Sequence, residues 1–145
     1  VLIIFIIVAM KMYTSTTLNI KKSVSFVKTR GGEFALKVRL NVSSKKHIEN
    51  IQIIDRLPGM TKIYEQFGTR PDKIEEGTRR LSWNIPRLNA GEERVISYII
   101  YSKLKIVGTF ELPAAIAIFE REGRTEEIWS NKAYFMSETT STEEN

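Results

Sequence analysis

The chain of 145 residues contains no cysteine and a single histidine, His47. Without cysteine there is no disulfide scaffold, no thiolate metal site and no cysteine nucleophile. One histidine excludes a His-rich metal centre. Alanine (7) and leucine (9) are sparse, and only 4 prolines and 8 glycines punctuate the chain. What replaces them is β-branched: Ile, Val and Thr together number 39. Branched side chains crowd a helical turn but fit a pleated surface, so this balance favours strands. A hydrophobic content of 42% is ample for the core of one domain of ordinary size.

Reaction chemistry is equally sparse. The sequence has no Gly-rich phosphate loop, no Ser/His/Asp grouping and no cluster at metal-ligand spacing. Adjacent carboxylates occur at Glu75-Glu76, Glu92-Glu93 and Glu126-Glu127. Neighbouring residues on a strand point to opposite faces, and polar residues surround each pair, so these read as solvated surface. His47 follows the polar stretch at 43–46 and reads as a surface residue. No catalytic residue, cofactor or metal is expected.

The chain opens on ten apolar residues, VLIIFIIVAM, closed by Lys11. A membrane-spanning helix needs about 20 such residues, so the run has roughly half the length of one. It reads as a membrane-anchor fragment. A signal-peptide core, a buried or donated β-strand and an ordinary core helix are the competing readings. Residues 13–17 form a polar spacer, so 1–16 stand apart from the rest of the chain.

From Thr17 the pattern has period two. Leu18, Ile20, Val24 and Phe26 share one phase, with Lys22 interrupting it, and Arg30-Gly31-Gly32 signals a turn. Phe34, Leu36, Val38, Leu40 and Val42 then alternate with Ala35, Lys37, Arg39 and Asn41. Such alternation sets one face on a core and one in water, the habit of an antiparallel sheet. Residues 48–54 read as a strand ending at Asp55-Arg56-Leu57-Pro58-Gly59. A short edge strand at 60–64, a long surface loop or loose hairpin at 65–80, and a strand at 81–85 ended by Pro86 come next. Residues 94–101 are apolar on both faces and read as a central strand. Residues 110–119 form another strand, with Pro113 at an edge or bulge position. A turn at 120–123 leads to a returning strand at 127–135, and the polar stretch 137–145 reads as a disordered tail. Seven to nine short strands with regular turn signals and no amphipathic helix predict an all-β antiparallel sandwich over residues 17–136.

The order of these segments resembles a known family, the conserved-repeat domain of unknown function (number eleven) of archaeal and bacterial cell-surface proteins. Residues 33–40 lead into Asn41-Val42-Ser43; Asp55-Arg56-Leu57-Pro58 is similar to the family's Asp-x-Leu-Pro strand end. Leu81-Ser82-Trp83-Asn84-Ile85, then Leu88 to Gly91-Glu92, are similar to its next segment, and Asn131-Lys132-Ala133 to an Asn-Ala element in its last strand. The resemblance implies an immunoglobulin-like fold and a structural or adhesive role outside the cell. Asp55, Leu57, Pro58, Gly59, Trp83, Gly91 and Asn131 form the structural signature. Their physics is local: Asp55 can accept N–H bonds in the Pro58-Gly59 turn, Trp83 can anchor the core, and Gly91 can take a positive φ.

The charge balance is basic, +5 overall, and +7 once Lys11, Glu138, Glu143 and Glu144 are set aside with the two ends. Lys21-Lys22, Lys28, Arg30, Lys45-Lys46, Arg79-Arg80, Lys103 and Lys105 are scattered, and the aromatics mostly alternate inward. Nucleic-acid binding, which needs stacking aromatics on a basic face, is therefore not expected. Contact with anionic head groups or acidic envelope polymer is the alternative use of that charge. Asn41-Val42-Ser43 is an N-glycosylation acceptor, read as standing at a strand end before a polar loop. The expected object is a non-catalytic module of a membrane-anchored or exported cell-surface protein. It would meet the membrane through residues 1–10, and other envelope proteins or neighbouring repeats through its surface. A filament subunit donating residues 1–10 as a strand, and a basic nucleic-acid-binding domain, are the alternatives. Lys11, Lys21 and Lys22 after the apolar run favour a cytoplasmic side; the resemblance points outward and takes precedence.

Overall fold

A computed structural model describes residues 17–28, 31, 34–102 and 108–137. Expectations placed on residues 1–16, on Arg30 and Gly32, on Lys103 and Lys105, and on the tail at 138–145 lie outside the described residues. Among the described residues eleven strands run in order: β1 (Leu18–Val27), β2 (Phe34–Ser44), β3 (Ile48–Arg56), β4 (Lys62–Gly68), β5 (Lys73–Glu75), β6 (Arg80–Leu88), β7 (Glu93–Ser102), β8 (Gly108–Leu112), β9 (Ile116–Arg121), β10 (Arg124–Trp129) and β11 (Ala133–Ser137). One sheet has the order β1-β2-β7-β4, the other β10-β9-β3-β6-β5, and β11-β8 form a short ribbon. All pairings are antiparallel. The chain crosses between the sheets after β2, β3, β4 and β6. That is the Greek-key habit of an immunoglobulin-like sandwich. No helix among the described residues is long and apolar enough to cross a membrane.

Period-two patterning explains where the core lies. In β2, Leu36, Val38, Leu40 and Val42 are buried, while Arg39 between them is exposed. In β7, Ile96, Tyr98 and Ile100 are buried and Val95 is exposed. β7 does lie between two strands, β2 and β4, but only one of its faces is fully buried: Ser97, Ile99 and Tyr101, which alternate with Ile96, Tyr98 and Ile100, are half-buried. Ile51, Ile53, Leu81, Trp83 and Phe119 fill the core from the opposing sheet. Burying each such side chain stabilises the fold by about 1.5–3 kcal/mol before conformational entropy is counted.

The edge strand expected at 60–64 is β4, which runs on to Gly68 inside the stretch read as loop or loose hairpin, and three further strands end elsewhere than the sequence predicts. Pro86 does not stop β6, which continues to Leu88. Pro86 stands opposite Asn50, and that one pair is missing from an otherwise continuous register between β3 and β6. Pro has no N–H to give, and Asn50 takes φ 54, a conformation Asn tolerates. On both strands the inward phase shifts by one residue there: Ile48 and Ile51 are buried on β3, Leu88 and Ile85 on β6.

The expected single strands at 110–119 and 127–135 are each two. β8 gives way to β9 across 113–115, and β10 to β11 across 130–132. Pro113 removes a ladder donor at the first break. The breaks face each other and are closed by Ser130: its N–H donates to the Ala115 carbonyl at 2.8 Å, and its hydroxyl accepts the Ala115 N–H at 2.8 Å. This division raises the strand number above the expected seven to nine. β5, inside the stretch read as loop, adds a short edge strand on β6.

Two glycines take positive φ for different reasons. Gly68 (φ 85) ends β4 where the register with β7 slips, and a Cβ there would meet the Ser97 carbonyl oxygen at 2.2 Å. Gly91 (φ 79) turns between β6 and β7 in open space. Gly68→Ala is expected to cost about 2–4 kcal/mol and Gly91→Ala only about 1–2 kcal/mol, the price of left-handed φ alone. Denaturant unfolding of the two variants side by side checks the difference.

Candidate functional site

Lys22 occupies the inward phase of β1, between Ile20 and Val24, and its side chain is wholly buried. A lone ammonium there would be costly to desolvate, so its partners decide the local structure. Its Nζ donates to Asp55 Oδ1 at 2.7 Å and to the Pro113 carbonyl at 2.7 Å. The Asp55 side chain is equally buried, on the inward phase of β3. Asp55 Oδ1 also accepts the Arg56 N–H at 2.9 Å, and Oδ2 accepts the Tyr98 hydroxyl at 2.5 Å. Tyr98 comes from the middle of β7, and the Trp83 ring of β6 stacks on it at 5.4 Å between centroids. One cluster therefore collects β1 and β7 of the first sheet, β3 and β6 of the second, and the break after β8.

Burial acts on these groups in opposite directions. Desolvation pulls the Lys22 ammonium below its ordinary value, against the attraction of Asp55. Desolvation and the neighbouring Asp55 carboxylate hold the Tyr98 phenol well above its usual 10.0. Both directions favour neutral forms, as expected where water is excluded. Chemically, the arrangement is a buried amine against a carboxyl group whose far oxygen receives a hydroxyl donor.

The backbone of Lys22 is engaged as well. The Lys22 N–H donates to Asn131 Oδ1 at 2.9 Å, and Asn131 Nδ2 donates to the Lys22 carbonyl at 2.8 Å. The carboxamide behaves like one residue of a neighbouring strand, bonding the outer edge of β1 across the break between β10 and β11.

The predicted signature residues are thus partly gathered and partly dispersed. Asp55 is a core group facing Lys22 and Tyr98, and not the cap of the following turn. That turn is held by other contacts: Thr61 Oγ1 donates to the Pro58 carbonyl at 2.7 Å, and Arg79 Nη2 to the Pro58 carbonyl at 2.8 Å and to that of Thr61. Leu57 is buried, and Gly59 lies in the turn itself. Trp83 is buried, with Nε1 donating to the Thr69 carbonyl at 3.0 Å. Gly91 is remote from the cluster, in the β6–β7 connection. Asn41 stands inside β2, paired with Lys21 and Val95 on either side, and its Nδ2 donates to Glu93 Oε1 at 2.8 Å. The acceptor is therefore on the outer face of a sheet and not at a strand end, because β2 runs on to Ser44.

Lys22, counted by composition among surface cations, and Tyr98, one of many aromatics, are the two members that sequence reading missed. The signal for Lys22 was its phase: a charge at an inward position of an alternating strand needs a buried partner. Tyr98 had no comparable signal. His47 is exposed and meets Asn89 Oδ1 at 3.1 Å and Glu49 Oε1 at 3.3 Å. Among the described residues no His/Asp/Glu group is gathered to hold a metal ion.

No family model and no curated protein matches the chain. Among solved structures it is similar to the GH20 exo-β-N-acetylglucosaminidase of Vibrio harveyi in complex with N-acetylglucosamine, at 10% identity and a TM-score of 0.51. An inactive mutant of that enzyme matches at 10% identity and a TM-score of 0.52. Each match covers 80% of this chain but 18% of the enzyme chain. At that identity the likeness is one of fold.

Asp55→Ala, which strands the buried Lys22 charge, is expected to lower stability by about 3–5 kcal/mol in denaturant unfolding. Tyr98→Phe removes one bond to Asp55 and is expected to cost about 1–3 kcal/mol. Because the folded Tyr98 value is raised, its contribution is complete below pH 10.0 and is lost as pH climbs toward the folded value, where the unfolded chain ionises first. Across that window the unfolding midpoint of the native chain should fall more steeply than that of Tyr98→Phe.

Proposed function

We propose that the chain is a non-catalytic structural or interaction module of a membrane-anchored or exported cell-surface protein. The observation that carries this reading is the direction of the buried polar contacts. Lys22, Asp55 and Tyr98 turn their polar atoms on one another and on the Pro113 carbonyl, and so brace strands of both sheets. Exported domains commonly brace themselves with disulfides; this chain has no cysteine, and a polar link through the core serves the same end. The resemblance of the Asp55-x-Leu57-Pro58 and Trp83 segments to the repeat family of envelope proteins points the same way.

The outer face of the second sheet supplies a surface for such a role. Ile54, Ile116 and Ile118 are half-buried there, and Trp129 is 62% exposed beside them. Apolar residues contiguous on an outer sheet face suit a neighbouring repeat or another envelope protein. Residues 1–10 would supply the attachment to the membrane.

Cell fractionation of the chain with residues 1–10 intact, followed by protease treatment of whole cells, tests the reading. The chain is expected in the membrane fraction and cleaved from outside, and deletion of residues 1–10 should release it. Recovery in the soluble cytosolic fraction, protected until lysis, would overturn the proposal.

A further inference from the structure

We propose that Lys22 and Asp55 condense within the folded chain to an intramolecular amide, a covalent link between β1 and β3 through the core. Neither side chain has any exposure, and the amine nitrogen lies 2.7 Å from Asp55 Oδ1. Such a pair is more than an ion pair out of water. Burial penalises the Lys22 ammonium, so the neutral amine, which is the reactive form, becomes accessible. A desolvated lysine is a recognised way of obtaining an amine nucleophile.

The surrounding groups suit each stage. One proton passes from the ammonium to Oδ1, giving amine and acid. The nitrogen lone pair attacks Asp55 Cγ, and negative charge collects on Oδ2, which already accepts the Tyr98 hydroxyl at 2.5 Å. A donor preset where charge develops is the main device for stabilising such an intermediate. Oδ1 then leaves as water, carrying the proton it holds and a second one from the nitrogen. One C–N bond forms, one C–O bond breaks, and nothing is oxidised or reduced.

The product keeps two of the same partners, while the Arg56 N–H gives up Oδ1 as its acceptor. Its carbonyl oxygen is Oδ2, under the Tyr98 hydroxyl, and its remaining N–H faces the Pro113 carbonyl that now receives Nζ at 2.7 Å. Two buried charges disappear and no polar atom of the new amide is left without a partner. A groove of about 590 Å³, whose lining includes Asp55 and Pro113, lies beside the cluster. Trp83, stacked on Tyr98, fixes the ring that acts on Oδ2. Tyr98 is the catalytic residue of this step. None of it depends on where in the cell the chain resides.

Intact-mass measurement of the purified, folded chain tests the proposal. The chain should weigh one water less than its sequence, and trypsin should yield a branched peptide joining residues 22–28 to 47–56. Lys22→Met should have its full sequence mass. Tyr98→Phe should form the bond about a hundredfold more slowly, the usual scale for losing one such donor. The native chain at full sequence mass after prolonged folded incubation would overturn the proposal. So would a water loss that persists in Lys22→Met, since Asp55 would then have closed on the Arg56 nitrogen, 2.9 Å from Oδ1. An unchanged rate in Tyr98→Phe would remove Tyr98 from the step.

Discussion

A lysine and an aspartate held without water in the middle of a β-sandwich constrain everything packed around them. Desolvating two ions costs several kcal/mol each, and the interior tolerates them only with close geometry and every spare hydrogen-bonding site used. Asp55 meets that condition with three donors, Lys22 Nζ, the Arg56 N–H and the Tyr98 hydroxyl. Since these come from β1, β3 and β7, the requirement fixes three strands relative to one another. A slip of β1 by one residue would swing Lys22 to the solvent face and leave Asp55 and Tyr98 without their lysine, so the cluster specifies register as well as contact.

The same constraint explains why the last strands break. Lys22 needs a second acceptor, and the Pro113 carbonyl supplies it from the gap between β8 and β9. Across the facing gap, Asn131 binds the Lys22 backbone through both ends of its carboxamide. Continuous strands at 110–119 and 127–135 would have satisfied their own ladders and left neither group free to turn toward β1. Beyond the breaks, Phe26, Phe34 and Phe135 pack with centroids 5.5–6.3 Å apart and join β1, β2 and β11. The short ribbon is therefore tied to β1 at its breaks and along β11.

Legibility in the sequence followed the range of each interaction. Alternation in β2 placed Leu36, Val38, Leu40 and Val42 inward, because side-chain direction in a strand depends only on parity along the chain. Breaks were harder. Pro86 and Pro113 carry the same lost donor, yet β6 absorbs the first, opposite Asn50, and the chain breaks at the second. The difference lies in what each proline faces, which is a property of the partner strand. Trp83 announced itself by size, whereas the pairing of Lys22 with Asp55 spans 33 residues and two sheets.

By itself the sequence determined an all-β sandwich with one apolar face on most of its strands, residues 94–101 reading as apolar on both, because composition and parity act locally and repeat along the chain. It also contained the anomaly of a lysine in an inward phase. Only the tertiary structure decided that this lysine is buried, that Asp55 belongs to the core and not to a turn, and that Tyr98 and Asn131 complete the arrangement. The physical reason is desolvation: whether a charge is tolerable depends on which groups arrive beside it from distant strands, and that is settled only when the two sheets close.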